Sequence, residues 1–440
     1  MGVSLAFHTI FTPLGIGMPL LLFVAEGIGL KTGDPRYLRM VRGWTPVVGL
    51  LFAVGAVSGT VLSFELGLLW PAFMAYAGGI IGMPFSLEGF AFFTEAIFLA
   101  VYIYGWDRLS PLKHWLVGIP LFVSAAMSAI FVISANAWMN EPKGFQIVNG
   151  RVANVNPWAA MFNAAWFHEA LHGTLASYVT TGFAVAAVYA VFMLRGRRDF
   201  QTRLGLKVAM GMAVVAIPLE IIAGDIAARA VAADQPVKFA AMEAQYQTER
   251  GAPIRIGGIP TDDGTKYAIE IPKMLSFLGY GSFDATVVGL NDVAPNDRPP
   301  AGKTHLAFDV MVGSGFALLG IAAWFWLVVW RRGQKFEPGR WLLRAIAAGG
   351  FLGFLAVEAG WFVTEWGRQP WIVRGFMRTS EAVTERSGIG IFFVLFTLLY
   401  IVISAGLLIA LIKWPRRQPP PESPSLEDMP EAGGAPLNVA

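Results

Sequence analysis

Glu365 stands at the end of a strongly apolar stretch, in Glu358-Ala-Gly-Trp-Phe-Val-Thr-Glu-Trp-Gly-Arg-Gln-Pro-Trp371. A carboxylate at membrane depth is costly, so it marks a pathway, a counter-ion or a metal ligand, with nearby Arg368 as the obvious ion-pair partner. Glu88 and Glu95 lie seven residues apart in another apolar run. Two helical turns separate them, so both project from one face, where they can relay protons along a span or hydrogen-bond to neighbouring helices. His168-Glu169-Ala-Leu-His172 has the H-E-x-x-H spacing. Histidines at i and i+4 share a helix face and could hold one zinc with Glu169 as base, given a third ligand from another span such as Asp225 or Asp309. His8 opens the first apolar run, where a histidine either hydrogen-bonds backbone at the interface or ligates a metal.

The elements that must carry these groups are membrane helices. With 440 residues, 55% of them hydrophobic and 14% charged, and a mean hydropathy of +0.56, the chain is too apolar for a soluble domain. It reads as an all-α polytopic membrane protein. Apolar runs of about 20 residues predict nine helices near 9–30, 44–64, 86–105, 115–136, 170–194, 205–226, 307–330, 341–364 and 390–412. The first run starts almost at Met1 and lacks a small-residue cleavage site, so it reads as a span and not as a signal peptide. Basic clusters follow the odd-numbered spans: Lys31, Arg36, Arg39 and Arg42; Arg108 and Lys113; Arg195, Arg197, Arg198, Arg203 and Lys207; Arg331, Arg332, Lys335 and Arg340; Lys413, Arg416 and Arg417. Lysine and arginine gather on the cytoplasmic side, which places the N-terminus outside and the C-terminus inside. The net charge of +3 is therefore a signature of topology and not of nucleic-acid binding.

Helices 1–6 fill residues 1–226 and helices 7–9 fill 307–413. Between them, 227–306 is a long soluble stretch, of the kind that carries function. The tail 414–440, rich in Pro, Ser, Glu and Gly, is too polar to pack and reads as a disordered cytoplasmic end. Cysteine is absent, which excludes disulfides, iron–sulfur clusters and thiolate ligation of haem or zinc.

From Gly360-Trp361 to Gly367-Arg-Gln-Pro-Trp371 the sequence resembles the signature of subunit I of the cytochrome bd quinol oxidases. Three other strings are similar to segments of that family: Phe7-His8-Thr-Ile-Phe-Thr-Pro-Leu-Gly-Ile-Gly-Met-Pro, His172-Gly-Thr-Leu-Ala-Ser-Tyr178, and Gln235-Pro-Val-Lys238-Phe-Ala-Ala-Met-Glu243 with Tyr267-Ala-Ile-Glu-Ile-Pro272. The resemblance runs from His8 to about Trp371. It implies three haems: a low-spin haem b between His172 and Met311, and high-spin haems at His8 and Glu365, one a haem b and the other haem d or a further haem b. Arg368 would help hold the cofactor. Met311 is singled out by its place in the family string, and His/Met ligation suits an electron-transfer haem. His168 is then structural.

The resemblance further implies that Lys238 and Glu243 support oxidation of ubiquinol or menaquinol at the outer face. There a cation can hold a quinol oxygen while a carboxylate takes its proton. Electrons would reach the high-spin sites with Trp361 as an intermediary, and protons for reducing O2 to water would come from inside through Glu88 and Glu95. Such a cycle builds a proton motive force without a pump. The family works in the bacterial cytoplasmic membrane with a second membrane subunit, often with a very small third one. This chain departs from the enterobacterial branch: the loop is short, the acidic pair is one residue closer, Asp309 replaces an arginine, and Ser63 and Glu65 replace Glu and Gln. These departures point to a divergent branch of the cyanide-insensitive kind. The competing classes are an intramembrane zinc protease using His168, Glu169 and His172, and a cation-coupled transporter.

Overall fold

Residues 1–261, 264–333, 337–385 and 387–417 are described by the computed structural model of the chain, with side chains as far as Leu411. Among them are nine helices long and apolar enough to cross a membrane. These are α1 (Gly2–Thr32), α2 (Pro35–Leu69), α3 (Pro71–Gly105), α4 (Pro111–Asn140), α6 (Trp166–Leu194), α7 (Phe200–Asp234), α10 (Ala301–Arg332), α11 (Arg340–Arg368) and α13 (Ile389–Arg417). Four short helices complete the set: α5 (Pro157–Met161), α8 (Pro236–Met242), α9 (Met274–Tyr280) and α12 (Thr379–Ala382). Local chemistry sets several starts. The Asp34 side chain accepts from the Arg36 N–H ahead of Pro35, and Asp199 accepts from the Thr202 N–H, satisfying donors that the first helical turn leaves free.

The helices overrun the apolar runs that reveal them. α3 begins at Pro71 and not near 86, α7 continues to Asp234, and α10 starts at Ala301, so the long connection is 235–300 and not 227–306. Hydropathy registers only the hydrocarbon crossing, whereas backbone hydrogen bonds continue the helix into the interface. Lys335 and the tail from Gln418 lie outside the described residues, as do the side chains of Lys413, Arg416 and Arg417.

The described residues divide into two compact units, the second beginning at Gly390, and all of α13 but its first residue falls in the second. Within the first unit, α1–α4 share one buried cluster around Leu21, Leu22, Tyr102 and Leu121. A second cluster joins α6, α7, α10 and α11 around Phe183, Leu206, Ile217 and Leu343. Small residues let backbones approach where lipid offers no hydrophobic drive. A Cβ on Gly182 would stand 2.9 Å from Ala213 Cβ, and one on Gly17 would stand 2.2 Å from Thr181 Oγ1. That Thr181 hydroxyl donates to the Pro13 carbonyl at 2.6 Å, pinning α1, the helix of His8, to α6, the helix of His172. Buried polar groups pair with one another: Glu26 accepts from the Tyr102 hydroxyl and lies 2.7 Å from His114 Nδ1.

The 235–300 connection is an ordered cap. Its strands nest as antiparallel ribbons. β3 (Glu249–Arg250) pairs with β8 (Thr286–Val287), β4 (Ile254–Ile256) with β7 (Ile269–Ile271), and β5 (Ile259–Thr261) with β6 (Gly264–Lys266). The apolar side chains Phe239, Met242, Leu275 and Val287 of this connection cluster with Val231, Ala307 and Val363 at the ends of α7, α10 and α11. The helix α8, with Lys238, is thereby seated on the bundle.

Candidate functional site

His8, in α1, has its Nδ1 2.8 Å from the Ser58 hydroxyl of α2. The same hydroxyl bonds the α2 backbone at the Val54 and Gly55 carbonyls, so the ring is anchored to α2 through its Nδ1 side. His172, in α6, has its Nδ1 3.0 Å from Glu220 Oε1 of α7, a close approach outside hydrogen-bond geometry. An imidazole whose Nδ1 faces an oxygen partner on a neighbouring helix is oriented as metal-ligating histidines are. Glycine makes room beside both rings. A Cβ on Gly59 would stand 3.3 Å from His8 Cε1, and one on Gly224 3.5 Å from His172 Cε1.

Met311, in α10, has its sulfur against Gly360 of α11, where a Cβ would stand 2.9 Å away. Trp361 follows that glycine, its ring 5.3 Å from Phe362, which stacks in turn on Trp366 at 4.6 Å.

Glu365 is half-buried and its carboxylate is held on both sides. Arg368 Nη2 donates to Oε2 at 2.6 Å and Asn136 Nδ2 of α4 donates to Oε1 at 2.8 Å. Asn140, one turn further along α4, donates 3.1 Å to Asn136 Oδ1, 3.0 Å to Glu169 Oε1 and 3.3 Å to Thr364. Lys238 closes the network: its ammonium donates to Thr364 Oγ1 at 3.2 Å and to Asn140 Oδ1 at 3.4 Å. Lys238 is thus buried and joined through neutral amides and a hydroxyl to the Glu365 carboxylate. Burial pushes its ammonium below the ordinary lysine value, with Glu169 opposing the shift. The stem of Lys238 crosses α11 at Gly367, where a Cβ would meet its Cγ at 2.8 Å.

Glu243, just beyond α8, is also buried. Burial first, and the nearby Asp309 carboxylate second, push its carboxyl up to about 8, against the pull of Arg255. A carboxyl in that range exchanges protons near neutrality. Glu88 accepts from Ser128 of α4 at 3.2 Å, and Glu95 is buried on the same face of α3.

The zinc reading fails on geometry. Among the described residues no three His, Asp or Glu side chains come close enough to share a metal ion. Asp225 is paired with Arg229 at 2.8 Å, Asp309 accepts from the Gly257 N–H at 2.8 Å, and Glu169 is bound to Asn140. Of the other departures, Glu65 is buried and accepts from Ser4 at 2.7 Å, whereas exposed Ser63 bonds its own helix at the Gly59 carbonyl. Sequence reasoning missed Asn136, Asn140, Thr364, Ser58 and Glu220. Two asparagines at i and i+4 in an apolar span were the available signal, since buried amides in a membrane need partners.

Donors of haem-ligating type, His, His, Met and Glu, lie on four separate helices. Nearby buried polar atoms lack any protein partner: Nε and Nη1 of Arg368, both carboxylate oxygens of Glu358 and Nδ1 of His168. A guanidinium held in the interior with two unpartnered nitrogens suits an anionic porphyrin edge, so the residues present fit haem. The fold and these donors define a polytopic membrane oxidoreductase.

The chain belongs to the cytochrome bd terminal oxidase subunit I family, whose model matches residues 1–419. It is 37% identical over 425 residues to a putative cytochrome bd menaquinol oxidase subunit I of Bacillus subtilis, covering 95% of each chain. A cytochrome bd ubiquinol oxidase subunit 1 of the same organism is 32% identical, over 91% of this chain and 87% of that one. Among solved structures, the bd oxidase from Geobacillus thermodenitrificans matches with a TM-score of 0.89 and 39% identity, over 95% of this chain and 97% of that one. The chain is accordingly subunit I of a bd-type quinol oxidase, a haem enzyme that works with a second subunit.

Proposed function

We propose that this subunit oxidises quinol on the 235–300 cap and supports reduction of O2 to water inside the bundle, with the N-terminus and the cap outside and the C-terminus in the cytoplasm. Haem supplies one-electron carriage and the iron at which oxygen reacts. His172 and Met311 hold the low-spin haem b, and His8 and Glu365 each hold a high-spin haem. Of these two, one is a haem b and the other haem d or a further haem b. Arg368 fixes the Glu365 carboxylate and would offer its unpartnered Nε and Nη1 to a porphyrin carboxylate. Trp361, next in sequence to the Gly360 that meets the Met311 sulfur, would serve as the intermediary for electrons passing from the low-spin to the high-spin haems.

Glu243 accepts a quinol proton and Lys238 supplies the positive charge beneath that site. Its tie to Glu365 through Thr364, Asn140 and Asn136 brings the two ends of the chemistry within one hydrogen-bonded network, and this is the observation that carries the reading. On the opposite side Glu88 and Glu95 pass protons inward along α3. Proton release outside and uptake from inside generate a proton motive force without pumping. The partner is a second membrane subunit, with a very small single-helix one in some assemblies, and the quinol is ubiquinol or menaquinol.

Membranes carrying the complex should consume oxygen when given quinol, and Glu243→Gln should lower that rate by about 100-fold, the scale of a lost general base. Full quinol turnover in Glu243→Gln would remove the proton-accepting role.

A further inference from the structure

His305 and Asp309 lie one turn apart in α10, on the side facing the cap, and nothing above assigns them a part in the reaction. His305 is 1% exposed. Its Nδ1 lies 2.8 Å from the carbonyl of Met242, the residue preceding Glu243, and its Nε2 lies 3.0 Å from the carbonyl of Gly257. Both neighbours are backbone carbonyls, so the ring bridges two separate segments of the cap. Asp309 Oδ2 is 3.3 Å from Nε2. The same oxygen accepts the Gly257 N–H at 2.8 Å. Gly257 therefore has both backbone polar groups bound to α10. It sits in the turn between β4 and β5 with φ 66°, a left-handed conformation that glycine adopts without strain.

We propose that His305 and Asp309 are positioning residues for quinol oxidation: they latch the cap to α10 on both sides of Glu243 and so fix where its carboxylate meets the quinol. The latch acts at one end on the carbonyl that precedes Glu243 and at the other on the β4–β5 turn. Between these points Ala244 holds φ 48°, a left-handed conformation unfavourable for a residue with a Cβ. A segment kept in that conformation needs its ends tied down, and His305 ties both. Asp309 completes the latch by accepting the Gly257 N–H.

The proposal rests on Glu243 being the proton acceptor, and two readouts on the purified two-subunit complex separate the claims. Hydrogen–deuterium exchange reads the latch alone. His305→Phe, which keeps volume and removes both ring nitrogens, should speed exchange across residues 242–257 by about 10-fold or more, leaving the spans protected. Asp309→Ala should do the same at Gly257, and His305→Gln, which keeps a polar side chain, should fall between. Quinol kcat/KM should drop about 10-fold in His305→Phe with the low-spin haem band intact, as expected when a supporting residue is lost. Unchanged exchange in both His305→Phe and Asp309→Ala overturns the latch. Faster exchange with unchanged kcat/KM overturns its role in catalysis, as does a variant that loses haem along with activity. If Glu243→Gln turns over quinol normally while exchange still responds to His305→Phe, the proton-acceptor reading fails and the latch stands.

Discussion

At the scale of single residues, the site is defined by what each donor is already bonded to. Ser58 bonds both Nδ1 of His8 and its own α2 backbone, and Glu220 faces Nδ1 of His172. Ser58→Ala should weaken retention of the His8 haem by about 10-fold while preserving the fold, as measured by haem-to-protein ratio after purification, because the partner of a ligand orients it without creating it. The Glu243 carboxyl, held up to about 8 by burial, accepts a proton only when ionised. Quinol kcat/KM should therefore rise as pH rises toward 8 and level off above it, and a flat profile between pH about 6 and 8 would exclude Glu243 as the acceptor. The proposed ligands were chosen from the sequence, Glu365 because it is costly in an apolar run and Met311 by its place in a family string. Asn136, Asn140 and Thr364 were not, because their importance lies in facing Glu365 and Lys238 from other helices, and that convergence is set by packing.

At the scale of elements, the helices bring the donors together only because small residues allow close approach. Gly367 lets the stem of Lys238 cross α11, and Gly360 gives the Met311 sulfur its place. Gly367→Val should push Lys238 out of the Thr364 and Asn140 contacts and raise the quinol KM by about 10-fold, the scale of one or two lost charge-assisted hydrogen bonds. Gly78→Ala in α3, where a Cβ stands in ordinary contact at 3.7 Å from Met74, should leave KM unchanged. Equal effects from the two substitutions would mean that Gly367 matters for packing alone. The nine spans were readable from apolar runs, but their ends were not. Helices continue into the interface at Pro71, Asp234 and Ala301, where composition turns polar while backbone hydrogen bonding does not change. The cap's strands of two or three residues likewise left no alternating pattern, and nothing in the sequence signalled that Lys238 and Glu243 are buried within it.

At the scale of the whole molecule, the account needs the cap on one side of the membrane and the basic clusters on the other. The chain has no cysteine, so single cysteines report sidedness without a background. Tyr267→Cys, at a position 89% exposed in the cap, should react with an impermeant maleimide added to intact cells, and Lys113→Cys should react only after the membrane is opened. The reverse pattern would invert the proposed direction of proton flow. The most direct test is magnetic circular dichroism of the purified complex, which separates low-spin from high-spin haem iron, applied to the parent, His172→Ala and Met311→Leu. The account predicts a low-spin signal beside high-spin signals in the parent, and loss of the low-spin signal alone in each variant. A low-spin signal that persists in both variants would contradict it.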